Sequence, residues 1–143
     1  MFKEKRRAER VKVKLPVTVA LLDNKTDAIL AGPVEGLAND FSPVGIALIL
    51  DNISIDNHHL FFTCQDNPTH ILLIGFALSD GEGTVIEVPA RPVRYDLDRK
   101  AKEKKVILGL EFLIPPKDQR LKKLTGNLFP GEKAPASWWG KFF

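Results

Sequence analysis

The stretch VKVKLPVTV, from Val11 to Val19, decides the fold. Val11, Val13, Leu15, Val17 and Val19 alternate with Lys12, Lys14, Pro16 and Thr18. Successive side chains on a strand point to opposite faces, so this period of two predicts a strand with one buried face. Pro16 has no amide donor and predicts an edge or a bulge. Beyond a polar turn around Asp23 to Asp27, residues 29–41 read as a second, interrupted strand with Gly32, Pro33 and Gly36 as bends. GIALIL, Gly45 to Leu50, reads as a well-buried third. NISIDNHHLFFTCQ (52–65), HILLIGFALSD (70–80), VIEVPARPVRYDLD (85–98) and KVILGLEFLI (105–114) follow, each bounded by turn residues. With no helical period between them, these seven strands predict an all-β, antiparallel barrel or sandwich.

The end of the chain reads differently. After Pro115 and Pro116, Leu121, Leu124 and Leu128 fall on one helical face, with Gly126 as a stop signal. The tail beyond is rich in Pro and Gly and reads as irregular. Trp138, Trp139, Phe142 and Phe143 are costly to leave in water, so the tail is expected to dock on its own barrel or helix, on a partner or second copy, or on a membrane surface. The expected organisation is a flexible basic arm over 1–10, a barrel over 11–114, a short helix over 115–128 and an aromatic tail over 129–143.

Composition narrows the function. The 143 residues suit one domain; 44% are hydrophobic, 27% are charged, and mean hydropathy is −0.09. That is too apolar for a disordered chain, and no apolar run is long enough for a membrane-spanning helix. The basic start lacks the apolar core of an export signal, and the single cysteine, Cys64, has no partner for a disulfide or a Cys-x-x-Cys pair, so a reducing cytoplasm is the expected setting. The net charge of +3 is unevenly spread. Residues 1–14 hold seven basic and two acidic side chains, leaving the rest of the chain at −2. A basic arm on a nearly neutral body suggests a localised anionic partner. Arg99 to Lys105, RKAKEKK, reads as a second, solvated basic cluster.

Two short patterns carry the chemistry. RRAER, Arg6 to Arg10, is an Arg-x-x-x-Arg immediately before the first strand; DFSPVG, Asp40 to Gly45, is an Asp-x-Ser-x-x-Gly between the second and third. Each alone is weak: Arg-rich arms are often solvated, and Asp-Phe-Ser-Pro is also an ordinary turn in which Asp40 and Ser42 bond their own backbone. The two in this register are expected by chance in roughly one chain in several hundred.

Together the motifs resemble those of the PilZ domain family, bacterial receptor modules for cyclic di-GMP. The resemblance extends over about residues 5–114 and includes PARPVRY and VILGLEF as closing strands. It implies a six- to seven-stranded antiparallel β-barrel with a short C-terminal helix, and no catalysis. It assigns ligand contact to Arg6, Arg10, Asp40, Ser42 and Gly45. Lys5, where many members carry another arginine, and Arg7, inside the motif, are further ligand-contact candidates, and residues beside the first arginine are implied to set whether one or two ligands bind.

The residue types suit such a ligand on chemical grounds. Cyclic di-GMP carries two phosphodiesters and two guanines. An arginine fork binds a phosphate or the guanine O6/N7 edge bidentately and stacks on a purine, which a lysine cannot imitate. Arg-x-x-x-Arg on extended chain spans on the order of 13 Å, enough to reach two parts of one compact ligand. Asp40 offers a carboxylate to guanine N1 and N2 donors, Ser42 a hydroxyl, and Gly45 a close backbone approach or a positive φ. The arm is expected to order when it clamps the ligand, and an effector protein, unidentified by sequence, to read that change; a monomer or weak dimer suffices. Two alternatives stay open: a PilZ-fold interaction module that binds no nucleotide, and a basic barrel that binds single-stranded nucleic acid. The latter lacks a basic face interleaved with aromatics. His58, His59 and His70 with Cys64 and Asp56 do not form a plausible metal set, because adjacent histidines on a strand face opposite ways, and neither cofactor nor catalytic triad is expected.

Overall fold

The strand that starts at Val11 continues well past Val19, although its alternation gives way to consecutive buried residues from Val19 to Leu22. In the computed structural model, which describes residues 9–98, 105–131 and 134–142, β1 runs over Val11–Asp23. It pairs antiparallel with β2 (Ala28–Ser42), which is continuous through Gly32, Pro33 and Gly36. Register shifts absorb the irregularities, between Lys12 and Leu15 and again on either side of Leu21. β3 (Gly45–Leu50), β6 (His70–Ala77), β7 (Val85–Asp98) and β8 (Lys105–Phe112) complete a closed six-stranded barrel in the order β1-β2-β3-β8-β7-β6. Every pairing is antiparallel. The inward positions of successive strands, such as Val19, Leu48, Ile74 and Leu108, are fully buried. Each such side chain contributes roughly 1.5–3 kcal/mol relative to exposure.

Residues 52–65 are not a barrel strand. They form a two-residue hairpin, β4 (Ser54–Ile55) with β5 (His58–His59), then helix α1 (Leu60–Asp66). Leu60 and Cys64, four residues apart, supply the buried face, and the His59 ring nitrogen accepts from the Phe62 amide to cap the start. α1 covers β6 and β7. Arg91 of β7 holds its end, donating to the carbonyls of Cys64 (3.1 Å) and Pro68 (2.8 Å).

The expected C-terminal helix is α2, Gln119–Leu128. Asp118 caps it by accepting from the Arg120 amide at 2.9 Å. Leu121 and Leu124 are buried, but the helix does not stop at Gly126. That glycine is exposed, and packing of the flanking residues carries the helix past it, offsetting a cost of about 1 kcal/mol. The tail is not wholly irregular either: Ala136–Lys141 form a further helix, α3. No helix among the described residues is long and apolar enough to cross a membrane.

Candidate ligand-binding site

The pairing of β1 with β2 brings the two sequence motifs together. Val11 lies opposite Phe41 and Lys12 opposite Asp40, so Arg10, at the start of β1, stands beside the Asp-x-Ser-x-x-Gly segment. One Arg10 guanidinium nitrogen is 3.8 Å from Asp40 Oδ2, with side chains only 18% and 12% exposed. The other Asp40 oxygen accepts from the Ala47 amide at 3.1 Å, locally replacing a ladder bond where β2 bulges at Asn39. Among the described residues, Asn39 Oδ1 is a buried side-chain acceptor without a partner.

Ser42 and Gly45 do structural work. Pro43 and Val44 form a two-residue turn, and Ser42 Oγ accepts from the amides of Val44 and Gly45, both at 3.2 Å. Ser42 is 1% exposed. The turn is tied to β8 by the Phe112 amide, which donates to the Val44 carbonyl at 2.9 Å. Of the two reasons for glycine at position 45, close approach is the one realised: a Cβ there would lie inside contact distance of the Leu110 carbonyl oxygen. Because that oxygen is backbone, Gly45→Ala is expected to lower the melting temperature by several degrees, a change of roughly 1–3 kcal/mol read by thermal unfolding.

Strand register extends the site beyond the motifs. Lys12, Asp40, Ala47, Gly109 and Arg94 are successive partners across β1, β2, β3, β8 and β7 and so share one outward face. The absence of a side chain on Gly109 lets Arg94 lie flat across it. Lys12 and Arg94 therefore join Arg10 on this face. The motifs did not flag them; counting strand registers from Asp40 would have. Lys5, Arg6 and Arg7 lie outside the described residues, as does most of the Arg99–Lys105 cluster. Two other surface grooves, of about 370 and 310 Å³, are lined by Glu35, one also by Asp51, which disfavours a polyanion.

Behind this face stands an aromatic cluster. Phe41, between Asp40 and Ser42, is fully buried, with its ring 6.0 Å from Phe112, 6.2 Å from Phe129 and 6.0 Å from Trp138. Trp138 is also fully buried, and Phe142 is buried beside it. The tail thus docks on its own barrel through Trp138 and Phe142. The indole N–H of Trp138 donates to the Glu9 carbonyl at 2.9 Å, and Ser137 Oγ donates to Glu9 Oε2 at 3.2 Å. Residues 9 and 10, read as the end of a flexible arm, are held in place.

Two of the histidines are engaged locally. His59 caps α1, and His70 Nδ1 lies 2.9 Å from Thr63 Oγ1. Burial pushes the Cys64 thiol up to about 11, against a smaller opposing pull from Arg91.

Comparison with known families agrees with the barrel order and the juxtaposed motifs. The family model for the PilZ domain matches residues 4–129. The chain belongs to the PilZ domain family. No curated protein matches the sequence. Solved structures similar to this PilZ chain include the Bacillus subtilis inhibitor of motility, MotI/DgrA, at 20% identity and TM-score 0.54, covering 88% of this chain and 51% of that one. The Borreliella burgdorferi PlzA protein, solved in complex with c-di-GMP, is 14% identical with TM-score 0.51, covering 85% of this chain and 50% of PlzA. The PilZ domain of YcgR from Escherichia coli, solved with c-di-GMP, is 14% identical with TM-score 0.52, covering 87% and 88%. This chain therefore spans about half the length of MotI and PlzA. At these identities the likeness is one of fold.

Proposed function

We propose that this PilZ chain is a noncatalytic receptor for cyclic di-GMP that signals through a partner protein. The observation that carries the reading is the meeting of Arg10 with Asp40 on one face, from motifs thirty residues apart. Arg10, Lys12 and Arg94 supply positive charge there, and Asp40 an acceptor for guanine N–H groups. Membership of the PilZ family supports the ligand assignment, as do the PlzA and YcgR structures solved with c-di-GMP. Arg6, with Lys5 and Arg7, would close over the ligand from the arm as it orders, a cost in chain entropy that charge-assisted contacts must exceed. Ser42 would act mainly by holding the turn.

The test is isothermal titration with cyclic di-GMP, with GTP and cyclic di-AMP as controls. Selective binding at low micromolar Kd or tighter is the expected result; no heat at 100 µM ligand, a concentration about a hundredfold above a micromolar Kd, would overturn the reading. Asp40 variants sharpen it. Asp40→Asn keeps an oxygen for the Ala47 amide but loses the charge, so it should weaken binding about tenfold and leave the melting temperature nearly unchanged. Asp40→Ala also strands the Ala47 amide, costing roughly 1–3 kcal/mol of stability. Equal melting temperatures for the two variants would refute that structural role.

A second reading, an interaction module that takes no nucleotide, is favoured by one observation. His59, Phe61, Phe62 and Tyr95 form a ring cluster with centroids 4.4–5.8 Å apart, and Phe62 and Tyr95 are exposed. The same titration separates the two.

A further inference from the structure

We propose that α3 is an autoinhibitory clasp on the ligand-binding arm, with Ser137 and Trp138 as positioning residues that hold Arg10 against Asp40 until ligand displaces it. The inference rests on reading this face as a cyclic di-GMP site. Its basis is the pair of hydrogen bonds from α3 to Glu9, inside the Arg-x-x-x-Arg motif. The Glu9 carbonyl belongs to the same peptide unit as the Arg10 amide. By bonding that carbonyl, the Trp138 indole fixes the peptide plane from which Arg10 hangs. Ser137 fixes the Glu9 carboxylate as well.

The arrangement so held pairs the site's own opposite charges. Arg10 faces Asp40, and the second Asp40 oxygen is bonded to the Ala47 amide. A dianionic ligand needs the guanidinium for its phosphates, and guanine N–H groups need the carboxylate. Ligand must therefore part Arg10 from Asp40, and turning Arg10 outward disturbs the Glu9 to Arg10 peptide that α3 grips. The grip has a rigid anchor: the Trp138 ring is fully buried, edge-on to Phe41 at 6.0 Å and to Phe129 at 5.4 Å. Ring packing fixes α3 to the barrel while its polar edge reaches the arm. Coupling between sites is reciprocal, so if the clasp opposes ligand, ligand weakens the clasp. Occupancy of the site is thereby reported to the exposed surface of α3, on which a partner could act.

The test uses the full chain carrying Ser137→Ala and Trp138→Phe, which removes both donors and keeps a ring against Phe41. Neither change alters charge, so general electrostatic attraction for the ligand is constant. Titrated with cyclic di-GMP, the double variant is expected to bind about fivefold more tightly than wild type, the scale of two modest hydrogen bonds released. A purely structural role for these residues would leave affinity unchanged or lower it. Tightening beyond about twofold, the smallest change one such bond produces, supports the clasp, and anything less overturns it. If neither chain binds, the receptor reading fails and takes the clasp with it. Equal binding removes the clasp alone, and binding confined to the double variant supports it. Should the double variant not fold, a Trp139→Phe chain decides, because Trp138 is then the only tryptophan. Saturating cyclic di-GMP should shift its emission maximum as the indole N–H leaves the Glu9 carbonyl; unchanged emission overturns the proposal.

Discussion

Replacing Arg10 with alanine is expected to weaken cyclic di-GMP binding at least about tenfold, and to abolish it within the range of ordinary titration, while the apo protein still folds. A charge-assisted contact from a guanidinium to a phosphate or guanine edge contributes roughly 1.5–3 kcal/mol, and tenfold in affinity corresponds to about 1.4. The loss has a second component: without Arg10 the Asp40 carboxylate faces the incoming phosphates unneutralised. The stability cost is small by comparison. At 3.8 Å the ion pair is too long for a strong hydrogen bond, and Asp40 keeps the Ala47 amide, so about 1 kcal/mol or a few degrees of melting temperature is at stake. Arg10→Lys separates charge from shape. It preserves the positive charge and the Asp40 partner but not the planar fork, and should bind with an affinity between those of wild type and Arg10→Ala. An Arg10→Ala protein that binds like wild type would remove Arg10 from the site; one that fails to fold would make it a structural residue.

How much of this was legible in the sequence differs from element to element. The β1 alternation was legible because one face of the strand is buried and the other wet, and a period of two survives a bulge. The meeting of Arg10 with Asp40 followed from adjacent antiparallel strands, where a motif at one strand's start lies beside a motif at the other's end. The α1 segment misled because Leu60, Phe61 and Phe62 form an apolar run too short to reveal its period, and its cap is a histidine rather than Ser, Thr, Asp or Asn. Ser42 was ambiguous for a chemical reason: a hydroxyl that suits a ligand also suits the turn amides, and only the folded turn shows which it takes up. The α3 contact with Glu9 was not legible at all. It joins residues 128 and 129 positions apart at two ends without periodic pattern, so no local signal encodes it. The aromatic residues did announce that the tail must be covered, and Phe41, within the motif itself, is part of what covers Trp138.

Trp138→Ala is expected to have the largest effect on stability, lowering the melting temperature by roughly 10 °C. Truncating a fully buried tryptophan removes its transfer free energy and leaves a void, a combined cost of about 3–5 kcal/mol. Its edge-on contacts with Phe41 and Phe129 add to that cost, and the Glu9 carbonyl loses its donor. The position of Trp138 in the last helix works the other way, because a terminal element can peel off instead of leaving an empty cavity. Peeling would still expose Phe41, Phe129 and Phe142 to water, so it limits the loss without cancelling it. Trp138→Phe supplies the calibration: it keeps most of the ring contact, gives up the indole N–H, and should recover more than half of the lost stability. The alanine variant should also bind the dye ANS more strongly than wild type, as rings normally shielded by α3 become accessible. A melting temperature within about 3 °C of wild type for Trp138→Ala, equivalent to less than about 1 kcal/mol, would mean that the tail contributes no packing energy to the barrel. The clasp would then lack the anchor from which it could hold the arm.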